Sequence, residues 1–487
     1  MNKDPLSQLD EGQQKAVTSQ AKNILCLAGA GSGKTRVLTT RVFYLVKKLN
    51  IPEENILSIT FTKNAAAEML ERLAKLGIDT EKLWCRTFHS ACYKILRELN
   101  PKLNMEIIDE TRQGDILTDI IKKLSRHQEF GYRLSRFMDD NNWPLYLLQE
   151  EIFKIIKECR NRSVGFEKII RRCQKEKNVD IVEFYRLLYV IKSQYEKYLK
   201  MNNIYDFSDL INEVNLELEN GGQALKYYRG KFKHILVDEF QDVDFTQMKF
   251  LKILNGTKNN MFVVGDDWQS IYGFRGGNVS YILNFQKYFL EDNETIILPY
   301  NYRSDGHVVY SASKFIKKNK RQHKKKIKSF SKSKLKIKIF RGRDEAENVK
   351  FVLKAIRTLL KHNISKSDIM VIGRNWKNLH PYIKIFNKNK LNNIKINTIH
   401  GSKGMESEVV FIAGLHQGRG GFPCIKEDYD IVKIIKDAKM QDRLEEERRC
   451  MYVAITRAKK LLFLITEKDK ESVFVKEISR KYCEEVK

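Results

Sequence analysis

The sequence is poor in the residues that mark exceptional architectures. Seven prolines and 25 glycines in 487 residues form no Gly/Ser-rich linker, so its domains are expected to be tightly joined. No stretch approaches the ~18 uninterrupted apolar residues of a transmembrane helix, and Met1-Asn2-Lys3-Asp4-Pro5 lacks the apolar core of a signal peptide. A cytoplasmic location with no membrane partner is the expectation. The eight cysteines are too scattered for a disulfide framework, and none are spaced C-x-x-C, which argues against a zinc or iron-sulfur site. They read as small buried hydrophobes. Acidic residues are the most telling shortage. With 61 Asp and Glu against 89 Lys and Arg, the formal charge is +28, and a polyanion is the natural partner. The 42% hydrophobic and 31% charged content is that of a globular chain, long enough for about three domains at ~150 residues each.

Strand-length apolar runs occur at Asn23–Leu27, Ile56–Thr60, His234–Val237, Met261–Val264, Thr295–Leu298, Ile369–Ile372 and Val409–Ile412. Helical patterns separate them, which predicts an α/β fold of parallel sheets flanked by helices. From about Met105 to Lys200 the pattern turns wholly helical and reads as an insertion. A second anomaly lies between Asp305 and Asp344, where no acidic residue occurs and Lys314 to Lys338 is dense in Lys and Arg. That block is either a nucleic-acid contact or a solvated face, and its tail from Lys334 to Phe340 alternates like a strand with one wet side.

Ala28, Gly29, Ala30, Gly31, Ser32, Gly33, Lys34 and Thr35 fit a P-loop, with alanine at the first glycine position, between an apolar strand and a helix-compatible run. Glycines let backbone N–H groups curl around a β-phosphate at a helix N-terminus, while Lys34 neutralises β/γ oxygens and the Thr35 hydroxyl ligates Mg²⁺. Such a site also needs a strand-end carboxylate for the metal and a base for water. Asp238 and Glu239 at the end of His234–Val237 are the candidates.

Asp238-Glu-Phe-Gln-Asp242 resembles motif II of UvrD/Rep-type superfamily 1 helicases, and the rest of that family's series follows in order. Leu9–Gln13 resembles the Q motif, Ser58–Glu68 motif Ia, Thr87–Ser90 motif Ib and Val264–Arg275 motif III. Asn301–Ser304 resembles motif IV, Thr398–Glu406 motif V and Glu446–Ala458 motif VI. Within the family, Gly265-Asp-Asp-Trp-Gln269 and Arg448-Arg-Cys-Met-Tyr-Val-Ala454 look most similar to bacterial helicase IV. Lys63-Asn64 reverses the usual motif Ia order, and Phe274 stands where Trp or another bulky residue is usual.

The resemblance implies two RecA-like domains with ATP and Mg²⁺ in the cleft between them. Gln13 would read the adenine edge, Tyr302 would stack on the base, Arg36 would lie near the nucleotide and Glu406 would hold the ribose. Gln269 would sense the γ-phosphate, and Arg303 and Arg457 would act as arginine fingers from the second domain. Arg275 would link motif III to the site and, with Phe61, Thr62, His89, Tyr272, Phe274 and His400, would contact single-stranded DNA.

The implied domains are 1–100 and 203–280 for domain 1A, 101–202 for a helical 1B insertion, and 281–487 for domain 2A. Fewer than a hundred positions separate Arg303 from His400, too few for the family's 2B insertion beside a RecA-like half. With few residues before the P-loop and 30 after Arg457, no N-terminal extension and no appended nuclease or docking module is the expectation. The implied activity is ATP-driven 3′-to-5′ movement on single-stranded and tailed duplex DNA with unwinding, in repair or recombination. The alternative is a motor that serves a protein partner such as a nuclease or phage-defence complex.

Overall fold

Two six-stranded sheets, parallel throughout, organise the protein in this computed structural model, which describes residues 4–102, 105–162, 165–175, 179–331, 335–418, 420–424 and 440–487. In chain order, β1 (Asn23–Ala28), β2 (Ile56–Thr60) and β3 (Trp84–Thr87) come first. A helical excursion follows, bounded by the short strands β4 (Glu106–Ile107) and β5 (Ile204–Tyr205). The chain then returns with β6 (His234–Val237), β7 (Asn260–Gly265) and β8 (Asn293–Leu298). Their spatial order is β3-β2-β6-β7-β1-β8. Every residue of β1 is buried, which explains its continuous apolar run: a parallel strand covered on both faces has no wet side to alternate with.

This order fixes the site. β6, β7 and β1 are neighbours, so the segments leaving their carboxyl ends, Asp238-Glu239, Asp266–Gln269 and the P-loop, converge along one sheet edge. Ligands of open α/β sheets bind at such an edge, where connections diverge.

The excursion contains helices Glu110–Ser125, Gln128–Asp140, Leu145–Arg162, Phe166–Lys175 and Val179–Met201. They enclose a separate core that includes Leu117, Phe137, Ile155, Phe184 and Leu188. The parallel pair β4–β5 closes its neck by setting Ile107 opposite Tyr205.

After β8, the strands β9 (Tyr300–Asn301) and β10 (Lys328–Ser329) pair with each other. The second sheet uses β11 (Ile337–Gly342), β12 (Ile369–Gly373), β13 (Lys395–Thr398), β14 (Ser407–Ala413), β15 (Ala458–Glu467) and β16 (Cys483–Val486), ordered β13-β12-β14-β15-β11-β16. The two parallel, helix-flanked sheets are the expected pair of RecA-like domains.

One expected boundary needs correction. The first domain does not end at 280, because β8 pairs along the whole of β1, so the first sheet runs to Leu298. The strand character of 295–298 is local, but the sheet it joins is set by pairing with residues some 270 positions earlier. The expected strand from Lys334 starts at Ile337, and 332–334 lie outside the described residues. A shared core joins the two units: Ala30, Trp268 and Ile271 from the first pack with Val308, Phe315, Tyr452 and Ile455 from the second.

Among the described residues, no helix is long and apolar enough to cross a membrane, and no cluster of three or more His, Cys, Asp or Glu side chains is placed to hold a metal ion. None of the eight cysteines is in a disulfide, and six are buried.

Candidate active site and nucleic-acid interface

The P-loop joins β1 to helix Lys34–Lys47, whose N-cap, Gly33, is left-handed (φ 83°) and makes no side-chain cap bond. The first-turn N–H groups of that helix are therefore available to an anion. Gly31 (φ 67°) and Gly33 shape the cradle: a Cβ on Gly31 would lie 2.6 Å from Arg303 Cβ, and one on Gly33 2.8 Å from Gln13 Nε2. Gln13 is buried in helix Glu11–Thr18, in a capping box with Asp10, and donates from Nε2 to the Ser32 carbonyl at 3.0 Å. Ser32 Oγ in turn donates to the Gly29 carbonyl at 2.9 Å. Thr35 is half-buried in the helix's first turn.

At the base-binding end, Tyr302 Oη donates to Asp10, the cap of the helix that carries Gln13. Arg36 Nη2 is held by the Gln8 carbonyl at 2.9 Å. Exposed Phe330 lies 5.0 Å from the Tyr302 ring, because β10 pairs with β9 and the Phe330 N–H donates to the Asn301 carbonyl. The sequence reading assigned Phe330 no role.

Glu239 has a left-handed backbone (φ 48°), an uncommon conformation for glutamate that turns its carboxylate back over the sheet edge. Its Oε1 is 3.7 Å from Lys34 Nζ and its Oε2 3.9 Å from Lys403 Nζ. Burial acts to raise its pKa, but the Lys34 and Lys403 charges outweigh it and hold the group down to about 2. Neighbouring Asp238 goes the other way, pushed up to about 7 by burial and by the Glu239 charge. Opposed shifts on adjacent carboxylates are a signature of acid-base and metal sites.

Gln269 Nε2 donates to Asp266 Oδ2 at 2.6 Å, while Gln269 Oε1 accepts from Arg457 Nη2 at 3.3 Å. Arg457 is fully buried and also donates to the carbonyls of Val453 (2.9 Å) and Met405 (3.0 Å). Burial and the nearby Arg303 charge lower its pKa to about 9, so it remains a cation at neutral pH. Arg303 Nε donates to Glu406, which also receives Lys459 at 2.9 Å. Asn301, likewise not singled out by sequence, organises this corner. Its Oδ1 accepts the N–H groups of Arg303 (2.9 Å) and Ser304 (2.8 Å), and its Nδ2 donates to the Ala30 carbonyl at 2.6 Å.

Four of the predicted DNA residues form one aromatic cluster. Phe61 stacks on Tyr272 (5.3 Å, 13° between planes), and Tyr272 and Phe274 both meet His400. Arg275 lies over the rings of Tyr272 and Phe274, which places it with this cluster. Burial, with the Arg374 charge nearby, lowers His400 to about 4, so it is neutral at physiological pH. His89 instead meets Phe207 edge-on at 5.4 Å. The Thr62 hydroxyl is engaged as the N-cap of helix Lys63–Lys75, accepting from Ala65 N–H at 3.1 Å.

Lys403 bridges the two regions: it pairs with Asp242, donates to the Gln269 carbonyl at 2.9 Å and sits 4.9 Å from the Tyr272 ring. Its motif was visible in the sequence, but its direction across the cleft was not. Lys325 departs further from expectation. Within the basic block, Lys324 and Lys326 are exposed, whereas Lys325 is completely buried. For that residue neither a DNA contact nor a solvated face holds, because the chain turns it inward onto Asp266 and Asp267.

A family model described as the UvrD/REP helicase N-terminal domain matches residues 9–290, and one described as the UvrD-like helicase C-terminal domain matches 296–391 and 377–469. The chain is 34% identical over 376 residues to the ATP-dependent DNA helicase PcrA of Staphylococcus aureus, covering 76% of this chain and 48% of that protein. It is 32% identical over 373 residues to the protein of the same name from Staphylococcus epidermidis, with coverages of 75% and 48%. The chain thus spans about half the length of the curated relatives it matches. Two helix-flanked parallel sheets, a P-loop facing a half-buried acidic pair, and matches to both halves of one family lead to a single conclusion: the chain belongs to the UvrD/Rep helicase family.

Proposed function

We propose that this chain is an ATP-dependent DNA translocase and helicase moving 3′-to-5′ on single-stranded DNA. The observation that carries this reading is the bond between Gln269, leaving β7 of the first sheet, and Arg457, leading into β15 of the second. A γ-phosphate beside Gln269 would be contacted from both domains, so its presence or loss alters how they are held together.

The cradle fits a nucleotide: the helix N-terminus is uncapped, and the space at Gly31 and Gly33 closes if a Cβ is added. Lys34 and the loop N–H groups bind the phosphates, Gln13 and Tyr302 bind the base, and Glu406 binds the ribose. Thr35 and Asp238 would hold Mg²⁺, which when bound neutralises charge on the phosphate oxygens. Glu239, kept ionised by Lys34 and Lys403, orients the attacking water and accepts its proton. Arg303 and Arg457 stabilise the charge that develops on the transferring group, a contribution of ~10³-fold or more.

Coupling to DNA runs through Lys403, which touches the acidic groups of the ATP site and the Tyr272 ring. The Phe61 and Tyr272 rings already contact each other, so bases stack on the open side of the cluster, where Phe274 is half exposed. Repair or recombination is the setting this activity suits.

The test is ATP-driven unwinding of 3′-tailed, 5′-tailed and blunt duplexes, with Lys34→Ala as the control. Unwinding restricted to the 3′-tailed substrate is expected. Preference for the 5′ tail overturns the polarity, and DNA-stimulated ATPase without unwinding supports a motor that depends on a protein partner such as a nuclease.

A further inference from the structure

Lys325 is a lysine from the segment after β9 whose ammonium reaches back into the first domain. Its side chain has no solvent exposure, and neither do those of its two acidic partners. Nζ donates to Asp266 Oδ1 at 2.5 Å, Asp267 Oδ1 at 2.7 Å and the Ala28 carbonyl of the P-loop at 3.4 Å, and it lies 4.4 Å from the Trp268 ring centroid. Two residues earlier, the His323 N–H donates to the other oxygen of Asp267 at 2.8 Å. Burial works against this charge, but the two aspartates outweigh it and keep the lysine protonated.

Such an arrangement is costly unless geometry is fixed, because each buried ion gives up several kcal/mol of hydration. Its position suggests its use. Asp266 is the hinge of a relay: Oδ1 receives Lys325, Oδ2 receives Gln269 Nε2, and Gln269 Oε1 receives Arg457. The Asp266 backbone N–H donates to Gln241 Oε1 at 2.8 Å, and Gln241 Nε2 donates to Glu239. One residue therefore serves both sides: the Asp266 carboxylate orients Gln269, and its backbone N–H orients the Gln241 amide beside Glu239.

We propose that Lys325 is a positioning residue for ATP hydrolysis. By fixing Asp266 it holds Gln269 and Arg457 where they meet the γ-phosphate, and through the Ala28 carbonyl it ties that geometry to the P-loop. This rests on the reading of the cleft as an ATPase site.

The first test is Lys325→Met, measured as DNA-stimulated ATP hydrolysis and, separately, as equilibrium binding of ADP and of the slowly hydrolysed analogue ATPγS. A positioning role predicts a kcat lowered by ~30-fold or more together with weaker binding of ATP, because Gln269 and Arg457 meet the γ-phosphate in the bound state as well as during its transfer. It also predicts that the preference for ATPγS over ADP collapses while ADP affinity is kept. A purely structural lysine would lower the melting temperature and the fraction of active sites, with kcat per site and nucleotide preference intact. If the single variant does not fold, Lys325→Met with Asp267→Asn keeps the net charge of the buried cluster and leaves Asp266, which orients Gln269, unchanged. Restored folding with depressed kcat and lost preference supports the proposal, and recovery of both to wild-type levels overturns it. The binding arm needs no turnover, so a wild-type chain that binds nucleotide without hydrolysing it would refute the ATPase reading and still decide the role of Lys325.

Discussion

Asn301→Ala should destabilise the joint between the two domains and slow hydrolysis together, because one side chain serves both. Asn301 is buried, and truncation removes three bonds: two from Oδ1, which pin the Arg303 and Ser304 N–H groups, and one from Nδ2 to the Ala30 carbonyl of the P-loop. At a net ~1 kcal/mol per bond, and more where no water can reach the orphaned partner, the loss is on the order of 3 kcal/mol. For domains of 150–250 residues that corresponds to about 6–12 °C in the melting of the affected unit, read by calorimetry. Asn301→Asp separates the parts, since it keeps acceptors for both N–H groups but loses the donor to Ala30 and sets a carboxylate against that carbonyl. Both variants should lower kcat, Ala by misplacing Arg303 and Asp by loosening the P-loop contact. Only Ala should also release the Arg303–Ser304 turn. An Asn301→Ala protein with an unchanged melting point and full DNA-stimulated ATPase would refute the assignment of Asn301 as the organiser of this corner.

Gly31→Ala should lower nucleotide affinity at least tenfold by equilibrium binding, since its Cβ would meet Arg303 Cβ at 2.6 Å on a left-handed backbone; wild-type affinity would show that the loop relaxes freely. Native protein at pH 8 should react slowly with a thiol reagent at Cys26 and Cys85, whose pKa burial raises to about 12, and all eight thiols should react on unfolding; rapid labelling of either in the native state would contradict the buried placement. His234 is lowered to about 4 by burial and the nearby Arg41 charge, so the unfolded state binds more protons between pH ~6.5 and 4; its contribution is intact above that window and lost as pH falls through it. His234→Gln should thus gain stability relative to wild type by up to about 3 kcal/mol at pH 4, and a pH-independent difference would refute the shift. Replacing exposed Lys324 and Lys326 together by Ala should flatten the salt dependence of DNA affinity if that face lies along the strand, and an unchanged slope returns the face to solvent.

The chemistry was legible wherever it depends on residue types at short spacing. A P-loop needs its glycines, lysine and hydroxyl in one turn, and a strand-end acidic pair needs an apolar run before it; both stood at the expected places. Most strand cores were readable too, because buried parallel strands are continuous apolar runs. Of the two large sheets, β3, β13, β15 and β16 were not picked out, and β8 was seen as a strand but placed in the wrong domain, since sheet membership depends on pairing partners distant in sequence. Among the DNA candidates, Phe61, Tyr272, Phe274 and His400 gathered, while His89 joined Phe207.

The residues missed were those whose meaning is burial or direction. Asn301 sits inside a recognised motif, yet nothing local shows that its amide faces the P-loop. Lys325 lay in a run of basic residues, where electrostatics alone predicts solvent or a polyanion. By itself the sequence determined the ingredients of the nucleotide site and the family to which the chain belongs, because phosphate chemistry imposes local spacing. Only the tertiary structure decided that one lysine of that run turns inward against Asp266 and Asp267. A buried charge is tolerated only where partners from other segments meet it, and the packing of the two domains alone brings them together.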